Sequence, residues 1–130
     1  MKTYITVEEL YFRLRAEGAV EIPILRDVVP YLSRQPGITG KVLAKALDVK
    51  QGALSNAILL LTGVTLKDMQ TQWKLLHAMY LLKNTTIDYK SVATQCGFKT
   101  INGLSKFMER QIGCTAYEYR EIRTHGNRQT

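Results

Sequence analysis

The sequence predicts an all-α fold: two helix-turn-helix subdomains joined by a long linker helix, behind a short N-terminal helical extension. Three observations carry that expectation. Apolar residues recur at helical spacing, and beyond Pro36-Gly37 no alternating strand pattern of any length appears. A series of small, apolar, glycine and threonine positions occurs twice, 49 residues apart. Between the two copies lies a capped stretch of nineteen residues, 65–83, with apolar positions spaced for a helix.

Taken in order, the first helix opens at Thr6-Val7-Glu8-Glu9, a capping box in which the hydroxyl accepts from the third amide while Glu9 reaches back. Leu10, Tyr11, Phe12 and Leu14 follow at helical spacing, and Gly18 is the expected terminator. Ile22-Pro23 breaks the chain. A second helix is expected over Ile24 to Arg34, with Val28, Tyr31 and Leu32 inward. Pro30 should bend it or shift its start, and Pro36-Gly37 ends it.

The repeat follows. Ala44, Val49, Leu54, Ile58, Gly63, Thr65, Asp68 and Met69 form one series. Ala93, Phe98, Leu104, Met108, Gly113, Thr115, Glu118 and Tyr119 form the other, with one extra residue between Phe98 and Leu104. Each copy holds a small residue in a first helix, an apolar turn residue, a second helix with an i, i+4 apolar pair, and a terminating glycine. A Thr-x-x-Asp/Glu cap then opens the next helix. The alanine matters because helices crossing steeply approach closely only where no large side chain intervenes. With only two copies the pattern is not a solenoid. Thr65 to Lys83, with Leu66, Met69, Trp73, Leu76 and Tyr80 inward, forms a helix about 28 Å long. Successive major-groove faces on one side of B-DNA lie roughly 34 Å apart, so such a spacer suits two reading helices. The expected divisions are 1–23, an N-terminal extension; 24–64, the first unit; 65–83, the linker; 84–123, the second unit; and 124–130, a flexible tail.

Charge sharpens the reading. Residues 1–23 carry three Lys/Arg and four Asp/Glu, whereas residues 24–130 carry fifteen and seven. A basic body favours a polyanionic partner, because each neutralised phosphate releases counterions. At 45% hydrophobic and 22% charged, the composition is that of a globular domain, and no apolar run approaches the roughly 20 residues that span a bilayer. The N-terminus lacks the apolar core of a secretory signal. Cys96 and Cys114 are too few for a disulfide framework and have no paired spacing, which fits two buried thiols in a reducing cytoplasm. His77 and His125 have no carboxylate or cysteine cluster nearby in sequence, and no phosphate loop, nucleophile elbow or HExxH motif is present. No catalytic residue, metal or cofactor is therefore expected.

The stretch from Leu81-Leu82 through Val92-Ala93 to Gly97-Phe98 resembles the entry to the second unit of the AraC/XylS family: a Leu-Leu pair, an apolar-x-x-apolar-Ala step, and Gly-Phe at the turn. It continues through Leu104-Ser105-Lys106-Phe107-Met108 to Gly113-Cys114-Thr115-Ala116-Tyr117-Glu118-Tyr119-Arg120, similar to the family's Gly-x-Thr-Pro-x-x-Tyr-Arg ending. Lys74, Ala78, Leu81 and Leu82 fit its linker pattern Arg-x-x-x-Ala-x-x-Leu-Leu. The resemblance covers about residues 24–123. It implies a bacterial, cytoplasmic transcription regulator that binds double-stranded DNA, with RNA polymerase or another protein as a further partner.

The sequence also departs from the family. Ala116 replaces the usual Pro, and Glu109 stands where Lys is common. From Gln51 to Leu66 there is no charged residue, although the family generally carries Arg or Lys at positions matching Asn56, Leu59 and Leu60. Three readings of that helix stay open at this point. It reads bases through Gln51, Ser55 and Asn56, since Gln and Asn pair bidentately with adenine. Or it is degenerate and the second unit dominates. Or Leu59 and Leu60 form a patch for a protein partner, which makes the chain an interaction module with weak DNA binding. In the second unit the reading helix begins near Thr100 and presents Ile101, Asn102, Gly103, Ser105 and Lys106, with Lys99 and Arg110 on phosphates. Arg120 and Arg123 follow the Tyr119 anchor, either adding to that grip or, for Arg120, serving the fold. Residues 1–23 are too few for a sensing or dimerisation domain, so the chain is expected to be either a stand-alone regulator or a fragment; Met1 and the cap at Thr6 favour a small complete protein whose first helix packs on the body.

Overall fold

The computed structural model describes residues 5–15 and 23–121; the expected terminator Gly18, the Ile22 side of the break, Arg123, His125 and the tail lie outside them. Among the described residues the helices follow in the order α1 (Val7–Arg15), α2 (Pro23–Arg34), α3 (Gly40–Ala46), α4 (Gln51–Thr62), α5 (Leu66–Asn84), α6 (Tyr89–Gln95) and α7 (Ile101–Ile112). A final helical stretch covers 116–121. No strand occurs among the described residues, as the missing two-residue period required. The chain divides into two compact units within α5, Met1–Trp73 and Lys74–Thr130.

In the first unit the Thr6 hydroxyl accepts from the Glu9 amide at 3.1 Å, which forms the cap, and donates to the Glu9 carboxylate at 3.2 Å. Val7, Leu10 and Tyr11 are buried, and the Tyr11 ring meets Trp73 edge-on at 5.2 Å. The Ile5 amide also donates to the Leu61 carbonyl at 2.7 Å. The first helix therefore packs on this unit. Helix α2 begins at Pro23 rather than after it. A proline at the first helical position loses no hydrogen bond, because that amide has no intrahelical partner, and its fixed φ suits a helix start. Pro30 lies inside α2 without ending it. Leu25, Val28, Val29 and Leu32 are buried, whereas Tyr31 is half-buried, with the Arg34 guanidinium 5.3 Å from its ring centre. Leu43, Leu54, Ile58, Met69 and Trp73 complete this core, each large apolar side chain contributing about 1.5–3 kcal/mol on burial.

The second unit closes around Ala78, Leu81, Leu82, Val92, Ala93, Cys96, Leu104, Phe107, Met108 and Ala116. This corrects the expected inward stripe of α5. Leu66, Met69 and Trp73 are buried, but Leu76 and Tyr80 are only half-buried. The C-terminal half of α5 serves a different core from the N-terminal half, and Ala78, Leu81 and Leu82 take the buried places there.

Candidate nucleic-acid interface

The two turns share one hydrogen-bonding plan. The Val49 amide donates to the Ala44 carbonyl at 3.0 Å, and the Phe98 amide donates to the Ala93 carbonyl at 2.8 Å. One residue earlier, the amides of Asp48 and Gly97 each donate to the carbonyl three positions back, both at 3.1 Å. Both residues are left-handed, with φ of 57° and 88°, a conformation that glycine adopts freely and aspartate tolerates. Ala44 and Ala93 are buried to within a few per cent, as the close crossing demands. Further on, Gly63 and Gly113 end α4 and α7 with φ of 79° and 82°. The Thr65 and Thr115 hydroxyls then accept from the Asp68 and Glu118 amides, both at 3.1 Å. The turns, the buried alanines, the glycine ends and the threonine caps of the repeat thus have structural counterparts, whereas its last pair differs: Met69 is buried and Tyr119 half-buried.

Helix α7 carries the second unit's exposed polar row. Thr100 is its N-cap, accepting from the Gly103 amide at 2.9 Å. A Cβ at Gly103 would stand 3.3 Å from the Thr100 hydroxyl oxygen, so glycine keeps the cap open to that amide. Asn102, Lys106 and Arg110 are exposed at four-residue steps, with Glu109 beside them and Lys99 exposed just before the cap. Four-residue steps keep side chains on nearly one face. Ile101 is half-buried. Phe98 packs against Phe107 with ring centres 5.0 Å apart, and the Lys74 amine lies 5.3 Å from the Phe98 ring centre.

Ser105 is a correction. It was expected among the DNA-facing residues, but it is 7% exposed and its hydroxyl accepts from the Ala116 amide at 3.4 Å. Ser105 flanks Leu104 and Met108, whose i, i+4 pair faces the core, so the helix turns it inward with them. The bond also answers a departure noted in the sequence. A proline at 116 has no N–H, whereas Ala116, fully buried, has one that needs an acceptor.

Arg120 serves the fold. Its Nε donates to the Leu82 carbonyl at 3.2 Å and its Nη1 to the Ile87 carbonyl at 2.9 Å. Its Nη2 reaches the carbonyls of Thr85 and Leu81 at 3.3 and 3.5 Å. The guanidinium also lies 4.9 Å from the Tyr89 ring centre. A cation here meets the negative end of α5 at the Leu81 and Leu82 carbonyls.

In the first unit α4 buries Leu54, Ile58 and Thr62. It leaves Gln51 and Asn56 exposed, Ser55 half-buried, and Leu59 and Leu60 46% and 75% exposed. One face cannot bury all four of Ile58 to Leu61, and the middle pair is left outside. Its N-cap Lys50 makes no side-chain cap bond, unlike Thr100. Sequence reasoning overlooked the cations beside this helix. Lys41, Lys45 and Lys50, all exposed, border an open concavity of about 490 Å³ with Asp48. Their signal in the sequence is a Lys pair four residues apart in the helix that precedes the reading helix.

Burial pushes the Cys96 thiol up to about 12. Cys114, half-buried rather than fully buried, is also raised, by desolvation and then by the charge of Glu118. Among the described residues no group of three His, Cys, Asp or Glu side chains is placed to hold a metal ion. No described helix is long and apolar enough to cross a membrane.

Comparison with known proteins agrees with this geometry. The transcriptional activator RhaR of Enterobacter sp. (strain 638) is 36% identical over 59 residues, which cover 45% of this chain and 21% of RhaR. The chain thus spans about a fifth of the length of the curated relatives it matches. Among solved structures, the DNA-binding domain of AdpA, determined in complex with a target DNA, superposes with a TM-score of 0.72. It is 22% identical over 83% of this chain and 98% of that one. The C-terminal domain of the response regulator AraT from Geobacillus stearothermophilus gives a TM-score of 0.70 and 24% identity over 81% of this chain and 89% of that one. The family described as "Helix-turn-helix domain" matches residues 43–122, a span that takes in both turns, α4 and α7, and the chain belongs to this AraC-type helix-turn-helix family.

Proposed function

We propose that this chain is a sequence-specific, double-stranded-DNA-binding transcription regulator whose main reading helix is α7. The observation that carries the reading is the exposed row Asn102, Lys106 and Arg110 behind the Thr100 cap. In the major groove Asn pairs bidentately with adenine, and Lys donates to guanine O6 and N7. Ile101, half-buried, offers an apolar edge to thymine methyls. Lys99, just before the helix, and Arg110, in its last turn, hold phosphates, which position the domain without reading sequence. In the first unit Gln51, Ser55 and Asn56 are the polar side chains of α4 available for bases, and their chemistry favours an A·T-rich half-site. The units of 24–64 and 84–123, with 65–83 between them, then act as two readers on one chain. The domain acts by binding, without a catalytic step, in the cytoplasm where its target DNA lies. Its relatives are transcription activators, and the reading of α4 as a protein-docking module is set aside.

Selection of bound duplexes from a random pool tests this directly. A bipartite motif is expected, and Lys106→Ala should lower affinity for it by about 1–3 kcal/mol with little effect on scrambled DNA. Lys99→Ala should weaken both equally. Equal losses on both DNAs for both variants would remove α7 from its reading role. Ser55→Ala with Asn56→Ala separates the units: unchanged affinity for the selected site would take α4 out of base reading.

A further inference from the structure

We propose that the first unit grips the sugar-phosphate backbone through a lysine-lined concavity at its turn, formed by Lys41, Lys45 and Lys50, and that this grip is indifferent to sequence. The inference rests on the DNA-binding reading above and assigns the first unit's share of it. Helix α3 places Lys41 and Lys45 one turn apart, on one face. Lys50 stands at the start of α4, across the left-handed turn at Asp48. All three are exposed, and they share one concavity of about 490 Å³ whose apolar lining includes Ala44 and Val49.

Charge distribution argues for this occupant. From Gln51 to Leu66 the first unit has no cation, so α4 contributes no Coulombic attraction to DNA. In the second unit α7 itself carries Lys106 and Arg110. The first unit gathers cations instead on the preceding helix and the turn, three lysines against the single acid Asp48 around one concavity. A lysine ammonium is a compact point charge on a flexible stem, suited to phosphate oxygens. A cationic rim around an apolar lining also matches a DNA strand, where charged phosphates alternate with apolar deoxyribose faces. A free anion would leave that lining unused. With this grip, a unit whose reading helix is uncharged adds affinity.

The test measures anisotropy of the full chain on two labelled duplexes, a site selected from a random pool and its scrambled version, across a salt series. The variant Lys41→Ala/Lys45→Ala/Lys50→Ala should lose about 10- to 100-fold in affinity near physiological salt, equally on both duplexes. The slope of log affinity against log salt should fall by about 2.7, at about 0.9 per phosphate contact for three contacts. Lys45→Gln alone should remove about one unit of that slope, which keeps the test decisive if the triple variant folds poorly. Asp48→Asn removes the acid while keeping a residue that tolerates the left-handed turn, and should tighten both duplexes several-fold. An unchanged slope in the triple and single variants, with wild-type binding intact, overturns the lysine grip alone. A loss confined to the selected duplex overturns its indifference to sequence. If the wild-type chain shows no salt-dependent affinity for either duplex, the DNA-binding reading falls, and this inference with it.

Discussion

Replacing Arg120 separates a structural arginine from a DNA-binding one. Its guanidinium donates to the carbonyls of Leu82, Thr85 and Ile87 at 2.9–3.3 Å, with a longer contact to Leu81. Leu81 also accepts from the Thr85 amide at 3.1 Å, so it keeps a partner without Arg120. Three carbonyls lose the contact with the guanidinium. Hydrogen bonds to a charged group contribute about 1.5–3 kcal/mol each, but Arg120 is half-exposed and water can replace part of what is lost. The cation over Tyr89 adds about 0.5–1 kcal/mol. The net cost of Arg120→Ala should be about 2–4 kcal/mol. Arg120→Lys should recover less than half, because one ammonium cannot span carbonyls that a planar fork reaches together. Urea denaturation followed by far-UV circular dichroism measures this, and the midpoint should fall by about 1–2 M. At temperatures where the variant stays folded, the salt slope of DNA binding should be unchanged. An unshifted midpoint with a slope reduced by about one unit would refute the argument and make Arg120 a phosphate contact.

Three more expectations follow from the second unit. Ser105→Ala should cost about 1–2 kcal/mol by stranding the buried Ala116 amide, and Ala116→Pro should also destabilise by crowding the serine oxygen. The two changes together should cost less than their sum, and additive losses in denaturation would show no link between the residues. Gly97→Ala, at φ 88°, should destabilise by about 1–2 kcal/mol, read as a lower melting temperature; an unchanged melting temperature would mean the turn relaxes. In the folded protein a thiol reagent should modify Cys114 first, while Cys96, fully buried with its thiol pushed up to about 12, reacts only on unfolding. Equal rates in native buffer would contradict that placement.

The parts of the fold legible in the sequence are those set by local chemistry. The Thr6, Thr65, Thr100 and Thr115 caps and the Gly63 and Gly113 ends were readable because each needs only a few neighbouring residues to satisfy backbone groups. The small residues Ala44 and Ala93 were readable because the repeat presents each with its turn. What required the fold was direction. Ser105 lies in a run of polar and apolar positions that periodicity alone cannot orient to within one residue, and the Ala116 amide eleven residues later decided it. Leu76 and Tyr80 fit the apolar stripe of α5 yet stand half-buried, because a sequence pattern does not reveal that one helix serves two cores. Arg120 stayed undecided for the same reason, since its acceptors lie 33 to 39 residues away.

The two units have a common scaffold, and they differ in where the charge sits. The hydrogen bonds of the turns match almost one for one, so backbone geometry gives neither unit an advantage. In the second, a threonine cap frees a helix whose exposed row holds Asn102, Lys106 and Arg110. In the first, a lysine occupies the cap position, the helix behind it is uncharged, and the cations stand on α3 and the turn. Long-range attraction to phosphate depends on charge and little on its exact direction, whereas base recognition depends on a few side chains held at one angle. A unit that moves its cations from the reading helix to the turn keeps the first property and gives up much of the second. Specificity should therefore concentrate at the half-site contacted by α7. A matched pair of single-base changes, one in each half-site of the selected duplex, should cost more in the α7 half, and equal costs would restore the first unit as an equal reader.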